Sequence, residues 1–508
     1  MNTAMWIVVL IYLVASVVAG AVIAKKKAAK DLSGYFNSGG TLSPWVMAFS
    51  FASTSLSGLL FLGGPTQAYA YGYPTFIFGT ILGTILGGCV LGNLLIGKPM
   101  RYISTKKNIV TPVDLLEEIY SYNKLRYVAV PMIIIASTVS ASVQWQCLGN
   151  LFSLLGLNYK WGVIIGVLVV AIYTNIGGNS GSAIVGAVQT IICVVSCIIV
   201  AVIAARACGG FTAMNTQFGA IDPGLVQAIS QAYPLPRSIT FMIGNMAGLG
   251  QPYLLVKFFQ VKDTRALPKA LPLTIIGTFF TCIVVVIGVS MRVLEANGTI
   301  AGIEHIDSIV PQFVAQIVNP SSIAGPVIGG LVIAAALSAI MSTASALTLS
   351  VSSAAVKDVY IKWMHHEDMP AKKQVRASKL TGWVVIIISM LLALWPVGTI
   401  FYIGFAAATM FGTAFAPSII GGLRWRRSTK YGAMCSMCMG IVHFVFFVLN
   451  STGVFPWPFN GKLEMNGVMI VISVIVYIVV SLLTPAQEKP LLPAPEKELK
   501  PRVRSQEG

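Results

Sequence analysis

The sequence is poor in charge, in acidic groups and in histidine. Only 10% of its 508 residues are charged, 17 are acidic and four are histidine, while 56% are hydrophobic. Soluble domains carry roughly 25% charged residues, so a water-soluble enzyme is excluded. A disordered chain is excluded as well, because disorder requires low hydrophobicity and high charge. An all-α polytopic membrane protein remains.

Cysteine and carboxylate chemistry is also missing. The eight cysteines are spread through apolar stretches and form no disulfide framework. Cys435-x-x-Cys438 has no second cysteine or histidine pair nearby, so we interpret it as a packing feature. All 17 acidic residues fall in loops or at span ends. Proton-coupled carriers commonly use an intramembrane carboxylate or histidine, and His443, the one histidine within a predicted span, is interpreted as a packing residue.

Long apolar runs are abundant, and about 20 residues suffice to cross a bilayer. Thirteen such runs can be placed along the chain. A polar, proline-rich tail follows from residue 485 and is expected to be a solvated cytoplasmic extension. The predicted spans are 4–24, 43–70, 74–97, 127–152, 161–177, 183–206, 238–258, 270–294, 322–355, 380–397, 399–423, 431–450 and 467–484.

The basic residues orient these spans. The chain has 34 Lys and Arg against 17 acidic residues, a balance that in a soluble protein would suggest nucleic acid. Here 29 of the 34 lie in alternate loops and the tail, and cytoplasmic loops are enriched in Lys and Arg. The prediction is a multi-pass protein of the plasma (inner) membrane with its N-terminus outside, its C-terminus cytoplasmic and no nucleic-acid partner.

Two spans contain residues that weaken a helix. The second contains 52–58, with four hydroxyls and a glycine, and the seventh contains 244–252, with three glycines and a proline. Close packing of small residues is one explanation. The other is a helix break, which frees backbone carbonyls to bind a cation such as Na⁺. Because the two segments are five spans apart, they fit two inverted repeats that meet at a binding site.

The ninth span carries hydroxyls on one face. Ala339, Ser342 and Thr343 are spaced i, i+3 and i+4 and therefore share a helix face. The two hydroxyls can bond to the carbonyls of the preceding turn. Placed opposite the broken second span, they would instead complete an all-oxygen cage for a cation.

Together these motifs resemble the sodium:solute symporter family over about residues 4–484. The resemblance implies a LeuT-type fold of thirteen helices, with a 5+5 inverted repeat, one extra N-terminal helix and two extra C-terminal helices. It implies one sodium site made by the carbonyls of Ser53, Leu56 and Ala339 and the hydroxyls of Ser342 and Thr343. The motifs that carry it are Tyr35-Phe36 with Gly39-Gly40, Ser57-Gly58, Gly64-Pro65, Gly177-Gly178, Gly250-Gln251-Pro252, Met341-Ser342-Thr343 and Lys357-Asp358-Val359-Tyr360.

Two departures from the family pattern are informative. Proline carriers of the family have an aspartate in the second-span motif where this chain has Ser55. Many members have an aspartate at the start of the sixth span, and the segment 184–189 lacks it. That aspartate belongs to a second sodium site in some relatives, so the resemblance implies a single Na⁺ for each cycle.

The motifs divide the chain into six regions. The second and fourth of them are the proposed repeats of five helices each. The expected regions are 1–41 (first span and basic loop), 42–210 (first repeat), 211–236 (extracellular loop), 237–430 (second repeat), 431–484 (two further spans) and 485–508 (tail).

The solute is left open between two classes. Segments 250–252 and 414–417 resemble the proline carriers, whereas 63–65, 69–72 and 143–144 resemble the pantothenate carriers. No lysine or arginine is expected to be buried, which argues against a strongly anionic solute. The residues expected to contact the solute are Ser57, Gly58, Gln144, Asn245 and Gln251, with Gln146 as a further candidate and Tyr402 as a gate.

The prediction is therefore a sodium-coupled symporter that imports a small amino acid or monocarboxylate by alternating access. Its partners are that solute, Na⁺ and the lipid bilayer. A proton-coupled or uncoupled carrier of the same fold, or a sensor derived from a transporter, remains an alternative. An enzyme is not expected, because the sequence contains neither a metal-ligand cluster nor a phosphate-binding loop, and a channel would need a repeated filter sequence.

Overall fold

The computed structural model describes residues 3–26, 31–107, 109–321, 323–366, 368–396 and 398–486. The lysines at 27 and 30 and most of the predicted tail lie outside these ranges. The described residues are helical apart from their loops, and their one β-bridge joins Leu42 to Val261.

Apart from short 3₁₀ turns, the described residues of the first half of the chain form nine helices. The second and third predicted spans correspond to α3 with α4 and to α5, most of which is wound as a π-helix. The bounds are α1 Thr3–Lys26, α2 Leu32–Asn37, α3 Pro44–Ser55, α4 Gly58–Tyr71, α5 Thr75–Lys107, α6 Pro112–Tyr120, α7 Arg126–Leu154, α8 Tyr159–Ala207 and α9 Phe211–Ile221.

Over the part of the second half that the structure describes, ten more helices follow. A short 3₁₀ turn, Met246–Gly250, separates α10 from α11, and a π-helical segment, Ala354–Trp363, continues α15. The bounds are α10 Leu235–Asn245, α11 Pro252–Gln260, α12 Ala266–Cys282, α13 Val286–Ala296, α14 Ile309–Phe313, α15 Gly325–Ser353, α16 Ala371–Ala393, α17 Ile400–Arg424, α18 Lys430–Ser451 and α19 Met465–Leu483.

Ten helices of the described residues are long and apolar enough to cross a membrane, and the bent pair α3–α4 makes eleven. The predicted fifth and seventh spans are not among them. The fifth is a shorter apolar helix, Tyr159–Ile172, and the seventh is divided between α10 and α11, of 11 and nine residues. The number thirteen therefore stays a prediction.

The Gly177-Gly178 motif lies at a kink within α8. This helix has 49 residues and would be about 74 Å long if straight, more than twice the bilayer core. Gly178 breaks it with φ 53° and ψ −160°. A Cβ at Gly178 would lie 3.0 Å from the Tyr35 ring, so glycine is required here both by conformation and by space.

Burial separates central helices from peripheral ones. In the most apolar stretch of each helix, about 83% of the residues of α15 and 89% of those of α17 are buried inside the protein, against 28% for α1 and for α16. The outer face of α1 exposes large side chains, including Ile7, Ile11 and Val14, which suits contact with lipid. The two central helices are therefore those that can present residues to an internal site, and α15 packs on α3, α7 and α8.

Candidate functional site

The second span breaks where the sequence predicted. The axes of α3 and α4 differ by 54°, and Ser57, between them, has φ 6° and ψ 163°, which is not helical. The last carbonyls of a helix have no amide partner within that helix. At the end of α3, the carbonyls of Ser53 and Thr54 are therefore free to accept other donors.

Two hydroxyls of α15 meet these carbonyls. Ser342 Oγ donates to the Ser53 carbonyl at 2.9 Å, and Thr343 Oγ1 donates to the Thr54 carbonyl at 3.0 Å. Both hydroxyls also lie within 3.1 Å of the Ala339 carbonyl. Five oxygen atoms thus come together from two helices, and all five residues are at most 3% exposed. Such a set of neutral oxygens suits a hard monovalent cation like Na⁺.

Four of the five predicted sodium residues are in this cluster. They are Ser53, Ala339, Ser342 and Thr343. Leu56 instead lies at the break itself, where its N–H returns to the Ala52 carbonyl at 3.1 Å. The carbonyl beside Thr343 belongs to Thr54, which sequence reasoning missed. The pairing of Thr343 with Thr54 depends on the position of α15 along α3, which the sequence pattern does not give.

Helix α8 passes beside this oxygen cluster with a glycine. A Cβ at Gly186 would lie 3.6 Å from Ser53 Oγ and 3.9 Å from Ser342 Cβ. This glycine is in the segment 184–189, which was noted above for lacking an aspartate. One turn earlier, Ser182 Oγ lies 2.6 Å from Ser345 Oγ of α15. The wall formed by α8 is therefore made of hydroxyls and backbone at this point, with no carboxylate in the segment.

The seventh span is broken as well. α10 ends at Asn245, the 3₁₀ turn follows, and Gln251 is extended before α11 begins at Pro252. Gly250 permits a close approach to α17, since a Cβ there would lie 2.6 Å from the Phe411 carbonyl. Asn245 Nδ2 donates to the Phe241 carbonyl at 2.9 Å. Gln251 Oε1 accepts a hydrogen bond from the Tyr253 hydroxyl at 2.9 Å.

A cavity lies between the two breaks. Its volume is about 90 Å³, which is small for a ligand site, since such sites usually enclose roughly 300–1,000 Å³. It brings together three of the residues predicted to contact a solute, Ser57, Asn245 and Gln251. Phe401 and Phe405 of α17 close one side of it. We call it the central cavity.

Gln144 binds the start of α4 next to this cavity. Its Oε1 accepts a hydrogen bond of 2.8 Å from the Gly58 N–H, and the side chain is 3% exposed. The first amides of a helix carry the positive end of its dipole and favour an anionic or carbonyl oxygen. Only glycine fits here, because a Cβ at Gly58 would lie 2.7 Å from Cys147 Sγ. Gln146 is also buried on α7.

Tyr402 lies outside the central cavity. It lines a second cavity of about 310 Å³ between α10, α17 and the loop that joins α18 to α19, and its hydroxyl accepts a hydrogen bond from Asn450. Phe401 and Phe405 line both cavities. We call the second cavity the vestibule. Two aromatic rings of α17 therefore separate the vestibule from the central cavity.

The expectation that no lysine or arginine is buried is wrong. Lys257 of α11 is 2% exposed, and its Nζ donates to Ser50 Oγ of α3 at 2.8 Å. Arg101 is 8% exposed and donates to the carbonyls of Phe259 and Lys262 at 2.9 and 3.0 Å. The sequence places both near span ends, and tertiary packing of α11 against α3 and α5 buries them.

A cluster of charges lies at the opposite end of α17 from the vestibule. Asp114 of α6 accepts hydrogen bonds from the backbone N–H groups of Val110 and Thr111 and from the ammonium groups of Lys357 and Lys362. Burial alone would raise the pKa of Asp114, but the two ammonium groups outweigh it and lower the pKa to about 2. This cluster ties α6 to the end of α15 that follows the hydroxyl pair.

Comparison with known proteins identifies the molecules that this chain resembles. The osmoregulated proline transporter OpuE of Bacillus subtilis is 27% identical over 488 residues, 94% of each chain. The sodium/pantothenate symporter of Haemophilus influenzae is 27% identical over 454 residues, covering 88% of this chain and 90% of the relative. The sodium/proline symporter 2 of Staphylococcus saprophyticus is 26% identical over 435 residues, covering 84% and 82%. These relatives are transporters, not enzymes.

A solved structure shares the fold. The substrate-bound outward-open structure of a Na⁺-coupled sialic acid symporter superposes with a TM-score of 0.77 at 19% identity, covering 96% of this chain and 99% of the other. Residues 35–440 match the sequence profile of the sodium:solute symporter family. This chain, with its membrane-spanning helices and two broken spans, belongs to the sodium:solute symporter family.

Proposed function

We propose that the protein imports a small solute with a carboxylate group, an amino acid such as proline or a monocarboxylate such as pantothenate, together with one Na⁺. The observation that carries this proposal is that one helix break adjoins both sites. The carbonyls of Ser53 and Thr54 face the α15 hydroxyls, and the Gly58 amide, four residues later, faces Gln144. Relatives that carry proline and pantothenate support the same solute classes.

The sodium ion would bind among the five oxygens, with Leu56 as a further predicted carbonyl ligand. The hydroxyls of Ser342 and Thr343, which donate to the α3 carbonyls in the structure, would then coordinate the ion through their oxygen lone pairs. Binding would hold the end of α3 against α15 and fix the backbone up to Ser57. A single ion is proposed because Gly186 leaves the neighbouring wall without a carboxylate.

The solute carboxylate would bind at the start of α4. In the structure, the Gly58 N–H donates to Gln144 Oε1. A solute carboxylate oxygen would replace Gln144 Oε1 as the acceptor and would form a stronger, charge-assisted hydrogen bond. Gln251 and Asn245 would contact the rest of the solute from the broken seventh span, and Gln144, once released, would contact it from α7. Small solutes are favoured because the cavity must expand from about 90 Å³.

Transport would follow alternating access. Na⁺ organises the break, the solute binds, and both are released on the other side, where low cytoplasmic sodium empties the site. Such coupling requires an affinity difference between states on the order of 1–3 kcal/mol. The proposal includes thirteen spans, repeats over 42–210 and 237–430, an outside N-terminus and a cytoplasmic C-terminus. The vestibule then faces outward and the Asp114 cluster faces the cytoplasm.

The test is uptake into proteoliposomes of the full chain. Labelled proline and labelled pantothenate are supplied separately, with an inward sodium gradient or with choline replacing sodium. We expect sodium-dependent accumulation of one of them. Equal uptake in choline and sodium would contradict sodium coupling, and the absence of uptake of both would contradict the two named solutes.

A variant pair tests the site itself. Gln251→Leu removes a polar group from the cavity and should raise the KM for the solute about tenfold, since a buried hydrogen bond is lost. Gln227→Leu changes an exposed glutamine of the loop after α9 and serves as the control. An unchanged KM in Gln251→Leu would remove this residue from the solute site.

A further inference from the structure

The vestibule has the dimensions of a ligand site. Its volume of about 310 Å³ falls within the usual range for such sites, roughly 300–1,000 Å³, whereas the central cavity does not. It shares Phe401 and Phe405 with the central cavity. A solute on its way to the central cavity from this side must therefore pass through the vestibule first.

The wall of the vestibule carries two opposite charges. Arg237 Nε donates to Glu464 Oε1 at 2.7 Å, and the side chains are 13% and 22% exposed. The Arg237 guanidinium lies 4.2 Å from the ring centre of Tyr233 and 4.8 Å from that of Tyr71. The two rings hold the guanidinium in place through cation–π contact, while both charged groups still line the cavity.

The ion pair is not needed to hold the loop in place. The Glu464 backbone N–H donates to Thr240 Oγ1 at 2.8 Å, and Gly467 packs directly on the backbone of Thr240. α19 also packs along α10. The side chains of Arg237 and Glu464 can therefore separate while the loop stays attached.

The remaining wall is divided by polarity. The floor consists of stacked rings, with the centroids of Phe401 and Phe405 5.4 Å apart and Phe241 beside them. The sides carry the amides of Asn450 and Asn460. A small apolar body fits the floor, and hydrogen-bonding groups fit the sides.

We propose that the vestibule is a solute-binding site whose ligands are zwitterionic amino acids. The carboxylate pairs with the Arg237 guanidinium, in the bidentate geometry that guanidinium favours, and the ammonium pairs with the Glu464 carboxylate. A monocarboxylate without an amine leaves the Glu464 carboxylate with the neutral Tyr233 hydroxyl as a partner but with no cation, and the two negative charges repel each other. The inference rests on the proposed function and narrows it, because it selects amino acids over pantothenate.

The experiment uses sodium-driven uptake of a labelled mixture of the twenty protein amino acids and, separately, of labelled pantothenate. We expect sodium-dependent uptake from the amino-acid mixture and no uptake of pantothenate. The amino acid that is transported is then used alone in the later assays. Uptake of pantothenate only would overturn this inference while leaving the symport proposal standing. Uptake of neither would overturn both.

Three variants then test the site. Glu464→Gln keeps the shape and removes the charge, and Asn460→Trp fills the vestibule from the loop. Val454→Trp adds the same bulk at a position of that loop that is 73% exposed and outside the vestibule. We expect KM to rise about tenfold in the first two variants, the size of one lost charge-assisted contact, with maximal rate and half-saturating Na⁺ unchanged. The control should match the wild type.

A purely structural ion pair would give a different pattern. Glu464→Gln would then lower the maximal rate or the protein yield and leave KM as it is. Equal KM values in Asn460→Trp and Val454→Trp would overturn the proposal, because they would show that filling the vestibule does not hinder the solute.

Discussion

Replacing Thr343 with alanine tests the proposed sodium site most directly. Its hydroxyl lies 3.0 Å from the carbonyls of both Thr54 and Ala339 and is buried. Alanine removes one of five oxygens from the cluster. One hydroxyl ligand contributes about 1–1.5 kcal/mol net, by analogy with a buried hydrogen bond. The half-saturating Na⁺ concentration for solute uptake should therefore rise about five- to tenfold.

The same helix offers a matched control. Thr348 is as buried as Thr343, but its hydroxyl donates to the Ala344 carbonyl of its own helix at 2.9 Å. Thr348→Ala should leave sodium activation unchanged, and Thr343→Ser, which keeps the hydroxyl, should restore it. The assay is the initial uptake rate as a function of Na⁺ at fixed membrane potential. Unchanged half-saturation in Thr343→Ala, or an equal rise in Thr348→Ala, would refute the assignment.

Three further predictions concern neighbouring residues. Gly186→Asp places a carboxylate where a Cβ would lie 3.6 Å from Ser53 Oγ, so sodium activation should change from hyperbolic to cooperative in uptake assays; a hyperbolic curve in a folded variant would contradict this. Ser50→Ala removes the hydroxyl that binds the Lys257 ammonium and should lower the free energy of unfolding by about 1–3 kcal/mol. In a Lys257→Met background, Ser50→Ala should have little effect. An equal loss of unfolding free energy in the two backgrounds would disprove that Ser50 acts through Lys257. Asp114, whose pKa is lowered to about 2, should contribute on the order of 2 kcal/mol above pH 4. Since protonation removes that contribution, the stability gap between wild type and Asp114→Asn should narrow as the pH falls from 5 towards 2 in denaturant titrations, whereas a constant gap would contradict it.

The helix breaks could be predicted from the sequence because they depend on local chemistry. Serines and threonines compete with the backbone for hydrogen bonds, glycine weakens a helix, and proline removes a donor. These effects act within 52–58 and 244–252 whatever surrounds them. The shared face of Ser342 and Thr343 is equally local, since it follows from 3.6 residues per turn.

The rest depends on tertiary packing that no local pattern encodes. Lys257 lies at the end of the predicted seventh span, 238–258. Only the approach of α11 to α3 buries its side chain against Ser50. Thr54 belongs to the oxygen cluster because the position of α15 along α3 brings the Thr343 hydroxyl to the Thr54 carbonyl. The position of Tyr402, by contrast, follows from the local sequence, and its role as a gate stays a prediction. Tyr402 follows the N-cap Thr399 by three residues, so it lies at the end of α17 and away from the centre.

The shared break has a thermodynamic consequence that goes beyond either site alone. Ser53 and Thr54 belong to the last turn of α3, and Gly58 is the first residue of α4. Only Ser55, Leu56 and the non-helical Ser57 separate the oxygen cluster from the Gly58 amide that we propose binds the solute. Any ligand that fixes the angle between the two helices lowers the entropy that the second ligand must lose. Linkage is reciprocal, so the factor by which Na⁺ raises solute affinity must equal the factor by which solute raises Na⁺ affinity. Weakening the oxygen cluster should therefore reduce both affinities at subsaturating partner concentrations, and solute affinity should recover when Na⁺ saturates the altered site.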